Sequence, residues 1–196
     1  MKKEKVESIL KTARHLFGRY GIRKTNLEEV ARLSKVAKAT IYNYFGSKDQ
    51  VYMEVLNREV VDVAARISAA VEQMKSPVEK LRAFIYITFK LIKETADLLN
   101  LHSDITDRFI PRTGSVHKTL FARQTAILQD ILKEGVKAGV FKGDDLSTTR
   151  SILYAIRGVE LSWLLDRDNT EVEADLDGLF KLLCKGILVN KGVSYV

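Results

Sequence analysis

Residues 25–48 read TNLEEVARLSKVAKATIYNYFGSK, and the rest of the chain is organised around them. Thr25 followed by Glu28 matches a capping box, in which a hydroxyl and a carboxylate bond to backbone N–H groups at a helix start. Apolar residues at helical spacing predict one short helix over residues 27–33 and another over residues 37–44. The residues between them are too few and too polar for a further element, so we predict two short helices joined by a tight turn.

The second short helix has the distribution of side chains that a helix needs in order to enter the major groove of DNA. An α-helix fits that groove, and a helix-turn-helix motif places its second helix there. The apolar side chains are predicted to face the interior: Val36, Ala39, Ile41 and Phe45. The other side chains would face outward: Lys38, Thr40, Asn43 and the tyrosines Tyr42 and Tyr44. The tyrosines could instead pack between this helix and the next, and we expect that role for one of them.

The basic charge of the chain is concentrated in its first quarter. Residues 1–48 contain 12 lysines and arginines against four acidic residues, a net charge of +8. Residues 49–196 contain 20 basic and 21 acidic residues and are close to neutral. A focused basic patch attracts a polyanion, whereas a neutral remainder does not. Because a solvated basic face is also common, charge alone only favours nucleic-acid binding.

Over residues 5–55, aromatic, lysine and capping residues fall in register: Gly21, Thr25, Val30-Ala31, Lys38, Thr40-Ile41-Tyr42, Tyr44-Phe45 and Lys48. This combination resembles the DNA-binding head of the TetR family of transcriptional regulators, in which a motif like AGVSKGTLYxYFxSK spans the turn and the recognition helix. The resemblance implies a ligand-responsive regulator, expected to be a repressor, that binds a palindromic operator in double-stranded DNA as a homodimer. By matching positions it implies phosphate contacts from Thr25, Asn26, Tyr42, Tyr44 and Lys48. It also implies a groove-facing set of Lys38, Thr40 and Asn43.

Three residues depart from the family pattern around the turn. Lys35 stands where the family often has glycine, so the turn must tolerate a side chain, which could add a phosphate contact. Ala37 stands where serine often caps the recognition helix, and the loss of that cap costs about 1 kcal/mol. Ala39 replaces a frequent glycine, which bears on how closely the backbone approaches DNA. The operator sequence therefore does not follow from the motif.

The remainder of the chain predicts helices with short connections, because only two prolines and 11 glycines occur in 196 residues. A long helix over residues 48–74 would leave the head, and the sequence Ser76-Pro77-Val78-Glu79 is a strong start signal for the next helix. The predicted fold is all-α with nine helices, three in an N-terminal helix-turn-helix head and six behind it. We expect a DNA-binding domain at residues 1–47 and a ligand-binding and dimerisation domain at residues 48–196, with the 48–74 helix connecting the two.

The last two predicted helices, over residues 147–165 and 170–189, are apolar on more than one face and must be covered on more than one face. An interior position in a monomer and a contact with a second subunit fit this pattern about equally well. The family resemblance implies a four-helix interface made by the last two helices, which favours the dimer. The predicted interface residues are Ile152, Ile156, Val159, Trp163, Leu176, Leu179, Phe180, Leu183 and Ile187.

Aromatic residues behind the head are candidates for a ligand pocket, although each type is more often part of a core: Phe84, Phe89, Phe109, Phe121, Tyr154 and Trp163. Such a lining suits an apolar effector. Four potential metal ligands are close in sequence, namely His102, Asp104, Asp107 and His117. Their spacing matches no defined site, so we expect neither a metal nor a cofactor.

Several classes of protein are disfavoured. Cys184 is the single cysteine, which excludes an internal disulfide framework. No segment approaches the apolar length of a membrane span, and charges interrupt any signal-peptide pattern, so we expect a cytoplasmic protein without a membrane partner. No phosphate-binding glycine loop, nucleophile elbow or HExxH motif is present, so we do not expect an enzyme. The alternative is an all-helical small-molecule-binding protein or enzyme that does not bind DNA.

The expected mechanism couples the ligand to the distance between two DNA-binding heads. Half-sites of an operator lie about one helical turn, roughly 34 Å, apart or a multiple of it. We expect a ligand to shift the 48–74 helix and so to change the separation of the heads. A shift of a few ångströms would then weaken operator binding without altering the contacts themselves.

Overall fold

The computed structural model describes residues 2–99, 114–166 and 171–189, and within these ranges the fold is all-α, as predicted. Among the described helices, none combines the length and the hydrophobicity needed to cross a membrane. One of the nine helices predicted from the sequence, a short one over residues 101–109, lies outside the described residues. Eight helices follow in chain order: α1 (Lys2–Lys24), α2 (Leu27–Leu33), α3 (Lys38–Phe45), α4 (Lys48–Glu72), α5 (Pro77–Leu98), α6 (Gly114–Lys137), α7 (Leu146–Leu165) and α8 (Val172–Ile187).

Contacts group the chain into two compact units. The first unit contains the described residues of Met1–Asp62 and Lys93–Leu120, and the second contains those of Val63–Ile92 and Phe121–Val196. The first part of α4 therefore packs with the N-terminal helices, whereas the division predicted from sequence lay at residue 47. The assignment of functions to the two parts of the chain stays a prediction.

Helix starts follow the predicted capping chemistry at α5 and depart from it at α2. The N–H of Glu79 donates to Ser76 Oγ over 3.2 Å, and the N–H of Ser76 donates to Glu79 Oε2 over 2.9 Å, which forms a capping box at the predicted helix start. At α2 the prediction was wrong by one residue. The N-cap is Asn26 and not Thr25, and the Asn26 side-chain oxygen accepts from the N–H of Glu28 over 2.9 Å.

In the first unit, α1 and the first part of α4 share a core that supports the two short helices. The rings of Phe17 and Tyr52 meet edge to face with their centroids 5.1 Å apart. Beside this core, Arg14 donates to both carboxylate oxygens of Glu59, whose side chain is largely buried. Because α2 packs against both α1 and α3, this core fixes the position of the helix-turn-helix within the unit.

Gly18 allows a close approach inside the first unit. A Cβ atom at Gly18 would lie 2.1 Å from the carbonyl oxygen of Leu98, at the end of α5. Real Cβ atoms do not approach oxygen so closely, and the obstacle is backbone, which cannot rotate away. A larger residue at this position of α1 would therefore displace the end of α5.

In the second unit, α7 and α8 pack against each other, and their inner faces are buried within the single chain. The apolar residues that recur most regularly in these helices are therefore used for the chain's own core, and the position of the dimer interface stays a prediction. The predicted interface residues buried in this way are Ile152, Ile156, Trp163, Leu176 and Ile187. Those that are half-buried are Val159, Leu179, Phe180 and Leu183.

The aromatic residues predicted to line a pocket take different positions. Phe84 is fully buried, and Phe89 meets Trp163 edge to face with ring centroids 5.8 Å apart, so these three belong to the core of the second unit. Phe121 stacks on Tyr154 with centroids 5.2 Å apart, and Tyr154 is 54% exposed. Phe109 lies outside the described residues.

Candidate nucleic-acid interface

The connection between α2 and α3 is a tight turn that holds Lys35 in a left-handed conformation. Ser34 ends α2, and its backbone N–H donates to the carbonyl of Val30, while the N–H of Lys35 donates to the carbonyl of Arg32. Lys35 follows with a φ of 57°. This region costs a residue with a Cβ about 1–2 kcal/mol, which glycine avoids. The turn does tolerate a side chain, as the sequence required, and it leaves Lys35 exposed.

The outer face of α3 carries polar and aromatic side chains over a buried apolar anchor. Ile41 is fully buried and holds the helix against the unit. Lys38 and Asn43 are exposed, and Tyr42 is 44% exposed. These three side chains lie outward as predicted, and their spacing places them on one side of the helix, where they can approach a ligand together.

The remaining predicted groove and phosphate residues of α3 are less accessible. Thr40 is half-buried. Tyr44 is also half-buried, and its ring packs edge to face against Phe45 with centroids 6.3 Å apart. Tyr44 is thus the more buried of the two tyrosines, and the packing between α3 and α4 that we expected for one of them stays a prediction. Ala39 was predicted to face inward but is exposed. It follows Lys38 on the outer side of α3, and Ile41 is the residue of this helix that is deeply buried.

The N-terminus of α3 has no side-chain cap. Ala37 is the N-cap residue in an extended conformation and makes no side-chain hydrogen bond there, as its sequence predicted. The first N–H groups of a helix lack partners within the helix and carry the positive end of its dipole. The start of α3 therefore offers donors that suit a phosphate oxygen.

Lys38 and Glu28 form an ion pair between α3 and α2. The Lys38 Nζ atom lies 2.6 Å from Glu28 Oε1, and both side chains are about half exposed. Through this hydrogen bond, Lys38 lowers the pKa of Glu28, and Glu28 raises the pKa of Lys38. In the absence of DNA, the cation at the start of α3 is therefore already paired with a carboxylate of the same motif.

Lys48 and Thr25 are used inside the first unit. The Lys48 Nζ atom donates to the backbone carbonyls of Arg23 and Thr25 over 3.3 and 3.2 Å, which ties the start of α4 to the segment that follows α1. The Thr25 hydroxyl is buried and donates to the carbonyls of Leu16 and Gly21 over 3.1 and 2.8 Å. The Thr25 hydroxyl is thus engaged and covered within its own unit, and the phosphate contact predicted for Thr25 stays a prediction. Asn26 remains exposed.

Sequence reasoning missed Glu28 as part of this site. The residue was assigned to the capping box alone, and its pairing with Lys38 crosses from one helix to another over ten positions of the chain. The short connection between the two helices could have indicated this pair, because it brings the first helical turn of α2 close to the first helical turn of α3. Within the described residues, no group of three or more acidic, histidine or cysteine side chains could hold a metal ion. Of the four residues considered as potential metal ligands, His102, Asp104 and Asp107 lie outside the described residues.

Two short helices, a tight turn and an outward polar face on the second helix define a helix-turn-helix DNA-binding protein. The model of the family described as "Bacterial regulatory proteins, tetR family" matches residues 9–55, which include α2, the turn and α3. Residues 9–55 thus carry the helix-turn-helix domain of the TetR family, and the chain is a DNA-binding transcriptional regulator.

Relatives and solved structures extend the likeness beyond the head. The HTH-type transcriptional repressor KstR2 of Mycolicibacterium smegmatis is 28% identical over 161 residues, which are 80% of this chain and 78% of that protein. A TetR-family regulator from Mesorhizobium loti superposes with a TM-score of 0.78 at 18% identity, over 96% of this chain and 99% of that chain. FadR from Bacillus subtilis, in complex with stearoyl-CoA, superposes with a TM-score of 0.69 at 20% identity, over 92% and 98%. At these identities the two structures establish a common fold.

Proposed function

We propose that the protein is a ligand-responsive repressor that binds a palindromic operator as a homodimer. The observation that carries the proposal is the outward face of α3, where Lys38, Tyr42 and Asn43 are exposed above the buried Ile41. The relatives are transcriptional regulators, which supports a protein that acts by binding and not by catalysis. Such a protein works where the genomic DNA is, in the cytoplasm.

Each side chain of the interface has a proposed role. Lys38 and Asn43 reach base edges in the major groove, because a lysine donates to guanine and an asparagine pairs with adenine. Tyr42 and Lys35 contact phosphate oxygens beside the groove, and Asn26 does so from the start of α2. The cost of holding Lys35 in a left-handed turn supports a binding role, since glycine would remove that cost and would also remove the cation.

The proposed dimer uses the outer faces of α7 and α8. These faces expose large apolar side chains: Tyr154, Leu161, Leu165 and Leu182 are 54%, 51%, 70% and 68% exposed. Contiguous exposed apolar surface is typical of a protein–protein contact. The revised face lies beside the residues predicted from the sequence and replaces the five that are buried within the chain.

Three glycines on these helices support the same face. Among the described residues, a Cβ atom at Gly158, Gly178 or Gly186 would meet no atom within 4 Å apart from its chain neighbours and the backbone of its own helix. Glycine inside a helix costs about 0.5–1 kcal/mol relative to alanine, and the chain's own packing gives no reason for it at these positions. Close approach of a helix from a second subunit would supply that reason.

Ligand control is proposed to act through α4. This helix is continuous from Lys48 to Glu72 and contributes residues to both compact units. A ligand held by the second unit can therefore move the segment that begins beside the helix-turn-helix. In a dimer, such a movement changes the distance between the two recognition helices, which must match half-sites roughly 34 Å apart or a multiple of it.

The test is operator selection followed by a titration with salt. We expect duplexes selected from a random pool to contain an inverted repeat, and their affinity to fall steeply as salt rises. Lys38→Ala and Asn43→Ala should each weaken binding by about 1–3 kcal/mol, with relaxed preference at one base position. Lys48 is a poor choice for this purpose because it also bonds to the backbone of its own unit.

The matched control is Lys118→Ala, which removes an exposed lysine from α6 and should leave operator affinity within about twofold. Equal losses in Lys118→Ala and Lys38→Ala would contradict the assignment of the α3 face. Failure of the chain to retain any duplex at low salt would contradict the proposed function and favour the small-molecule-binding alternative.

A further inference from the structure

Three polar side chains form a buried cluster in the second unit, away from the DNA-binding face. Gln124 on α6 is fully buried, and Glu160 on α7 is 7% exposed. Arg157, one turn before Glu160 on the same helix, is half-buried. Its Nη2 atom donates to Gln124 Oε1 over 3.1 Å, so the cluster joins α6 to α7. The guanidinium also lies over the Phe121 ring, with Cζ 5.0 Å from the ring centroid.

Several buried polar atoms of this cluster make no hydrogen bond to any described residue. An arginine only donates, so Gln124 must present its oxygen to Arg157, which leaves the amide nitrogen as a donor. That nitrogen, the Nε atom of Arg157 and the Oε1 atom of Glu160 are buried, and none of them has a hydrogen-bond partner within the part of the chain that the structure describes. Within the described residues, two N–H donors and one carboxyl oxygen of the same cluster therefore remain available to form hydrogen bonds with a ligand.

Such a cluster costs the empty protein stability. Each buried polar group without a partner costs about 1–3 kcal/mol, and more when it is charged. Burial raises the pKa of Glu160 to about 7, although the neighbouring Arg157 acts in the opposite direction. Burial also lowers the pKa of Arg157. The groups are covered by their own chain, so a second subunit docking on the outer face of α7 would not supply the missing partners.

We propose that Gln124, Arg157 and Glu160 bind the head group of the effector, and that the effector is a small organic carboxylate with an apolar body. This inference rests on the proposed function, because it names the chemistry of the ligand to which the repressor responds. The carboxylate accepts hydrogen bonds from Arg157 Nε and Gln124 Nε2. Glu160 in its protonated form donates to the second carboxylate oxygen.

The chemistry of the cluster favours an anion over the alternatives. Arginine retains its positive charge even when its pKa is lowered by burial, so an ammonium ligand would meet a like charge in a poorly solvated place. A neutral amide could accept the two hydrogen bonds but would lack the ion pair, and hydrogen bonds to charged groups contribute roughly twice as much. Trp163 lies one turn after Glu160 and packs on Phe89, so aromatic surface is available near the head group.

Trp163 provides a direct readout because it is the single tryptophan of the chain and is buried one helical turn after Glu160 in α7. The probes are two matched series: hexanoate, hexanamide and hexylamine, and benzoate, benzamide and benzylamine. We expect both carboxylates to change the Trp163 emission and to raise the melting temperature of the full chain, and the amides and amines to do so at least about tenfold more weakly.

Substitutions of single residues test whether the carboxylate probes bind at this cluster. Arg157→Met should weaken carboxylate binding at least about tenfold, since a charge-assisted hydrogen bond is lost. Arg150→Met is the matched control, because Arg150 is an exposed arginine of the same helix that also lies over an aromatic ring, that of Tyr154. Glu160→Gln keeps a neutral donor at its position and should retain carboxylate binding.

A measurement on the empty protein separates a binding site from a structural network. Replacing all three residues together (Gln124→Leu, Arg157→Met and Glu160→Met) should leave the melting temperature unchanged or raise it by several degrees, because buried polar groups without partners are removed. A network that stabilises the fold would show a fall instead, and that result would overturn the proposal.

Binding of neither carboxylate, or equal binding by Arg157→Met and Arg150→Met, would also overturn the inference. Operator binding by the unmodified chain, measured in parallel, keeps the two proposals distinct. If the chain binds its operator but no carboxylate, only the identity of the effector is wrong. If it binds carboxylates through Arg157 but no DNA, the cluster stands and the proposed repressor function falls.

Discussion

α3 and α7 each bury one face in their own unit and present another outward, but the two outward faces differ in kind. The face of α3 carries Lys38, Tyr42 and Asn43, which can bond to water or to a polyanion. The face of α7 exposes Leu161 and Leu165, which gain nothing from water. An exposed polar face is stable alone, whereas an exposed apolar face favours a covering partner. The comparison supports DNA as the partner of the first face and a second copy of the chain as the partner of the second.

The largest expected effect comes from breaking the apolar face. Leu161→Arg combined with Leu182→Arg places two cations on the outer faces of α7 and α8, and burying them in an interface without partners is strongly unfavourable. We expect light scattering to give the mass of one chain and operator affinity to fall at least about 100-fold, because two linked heads bind far more tightly than one.

Two variants control for this experiment. Val61→Arg changes an exposed apolar residue of α4 and should leave the dimer and operator affinity intact. Ile156→Ala acts on the opposite face of α7, where the side chain is fully buried, and should lower the free energy of unfolding by about 2–5 kcal/mol without dissociating the dimer. If Ile156→Ala dissociated a fully folded dimer while the arginine variant did not, the original assignment of the interface would be restored.

The second prediction concerns the carboxyl group that α7 buries. The folded protein holds the proton of Glu160 more tightly than the unfolded chain, because its pKa rises from 4.5 to about 7. The stability that this proton contributes is complete below pH about 4.5 and is lost as the pH rises to about 7. Relative to Glu160→Gln, the free energy of unfolding should therefore fall by about 3 kcal/mol over this interval.

Urea denaturation of both proteins at a series of pH values measures this difference. Other carboxyl groups titrate in both proteins and cancel in the comparison. Parallel stability curves for the two proteins between pH 4.5 and 7 would show that Glu160 has an ordinary pKa. No residue of the α3 face has a comparable burial, so its charged side chains should lack such a dependence.

The sequence predicted the head better than the remainder for a physical reason. In the head, Gly21, Lys38 and Lys48 occupy positions fixed by short-range geometry, and the helices and their outward face followed from that pattern. In α7, Ile156 and Leu161 are equally apolar, and periodicity cannot tell a face covered by the same chain from a face covered by another. The Lys38–Glu28 pair and the Gln124–Arg157 contact depend on packing between helices, which a linear pattern does not contain.

A smaller effect tests the turn before α3. Ala37→Ser restores an N-cap to the recognition helix and should raise the free energy of unfolding by about 1 kcal/mol. Lys35→Gly relieves a left-handed residue and should stabilise by a similar amount or less, because glycine also gains entropy in the unfolded chain. Only Lys35→Gly should also weaken operator binding and reduce its salt dependence by about one phosphate contact, as measured by fluorescence anisotropy.

Identical operator binding by the wild type and Lys35→Gly would show that the cation at the turn does not touch DNA. In that case the left-handed lysine would be a cost of the fold without a binding role. A loss of affinity in Ala37→Ser would mean that the added hydroxyl occupies N–H groups that the phosphate requires. That outcome would make the uncapped start of α3 part of the binding site.

The smallest effect sharpens the role of the ion pair on the α3 face. Glu28 holds Lys38 at 2.6 Å, so DNA must either displace this carboxylate or bind beside it. Glu28→Gln removes a negative charge next to the phosphates and should tighten operator binding by about 1 kcal/mol, or roughly fivefold, at low salt. Glu29→Gln is the matched control, because Glu29 lies in the same turn of α2 and pairs weakly with Arg32 at 3.9 Å. Equal gains in both variants would indicate a general charge effect, whereas weaker binding in Glu28→Gln alone would mean that the carboxylate orients Lys38 for the groove. The anisotropy titration thus distinguishes two roles for Glu28: competition with DNA for Lys38, and orientation of Lys38 for binding to DNA.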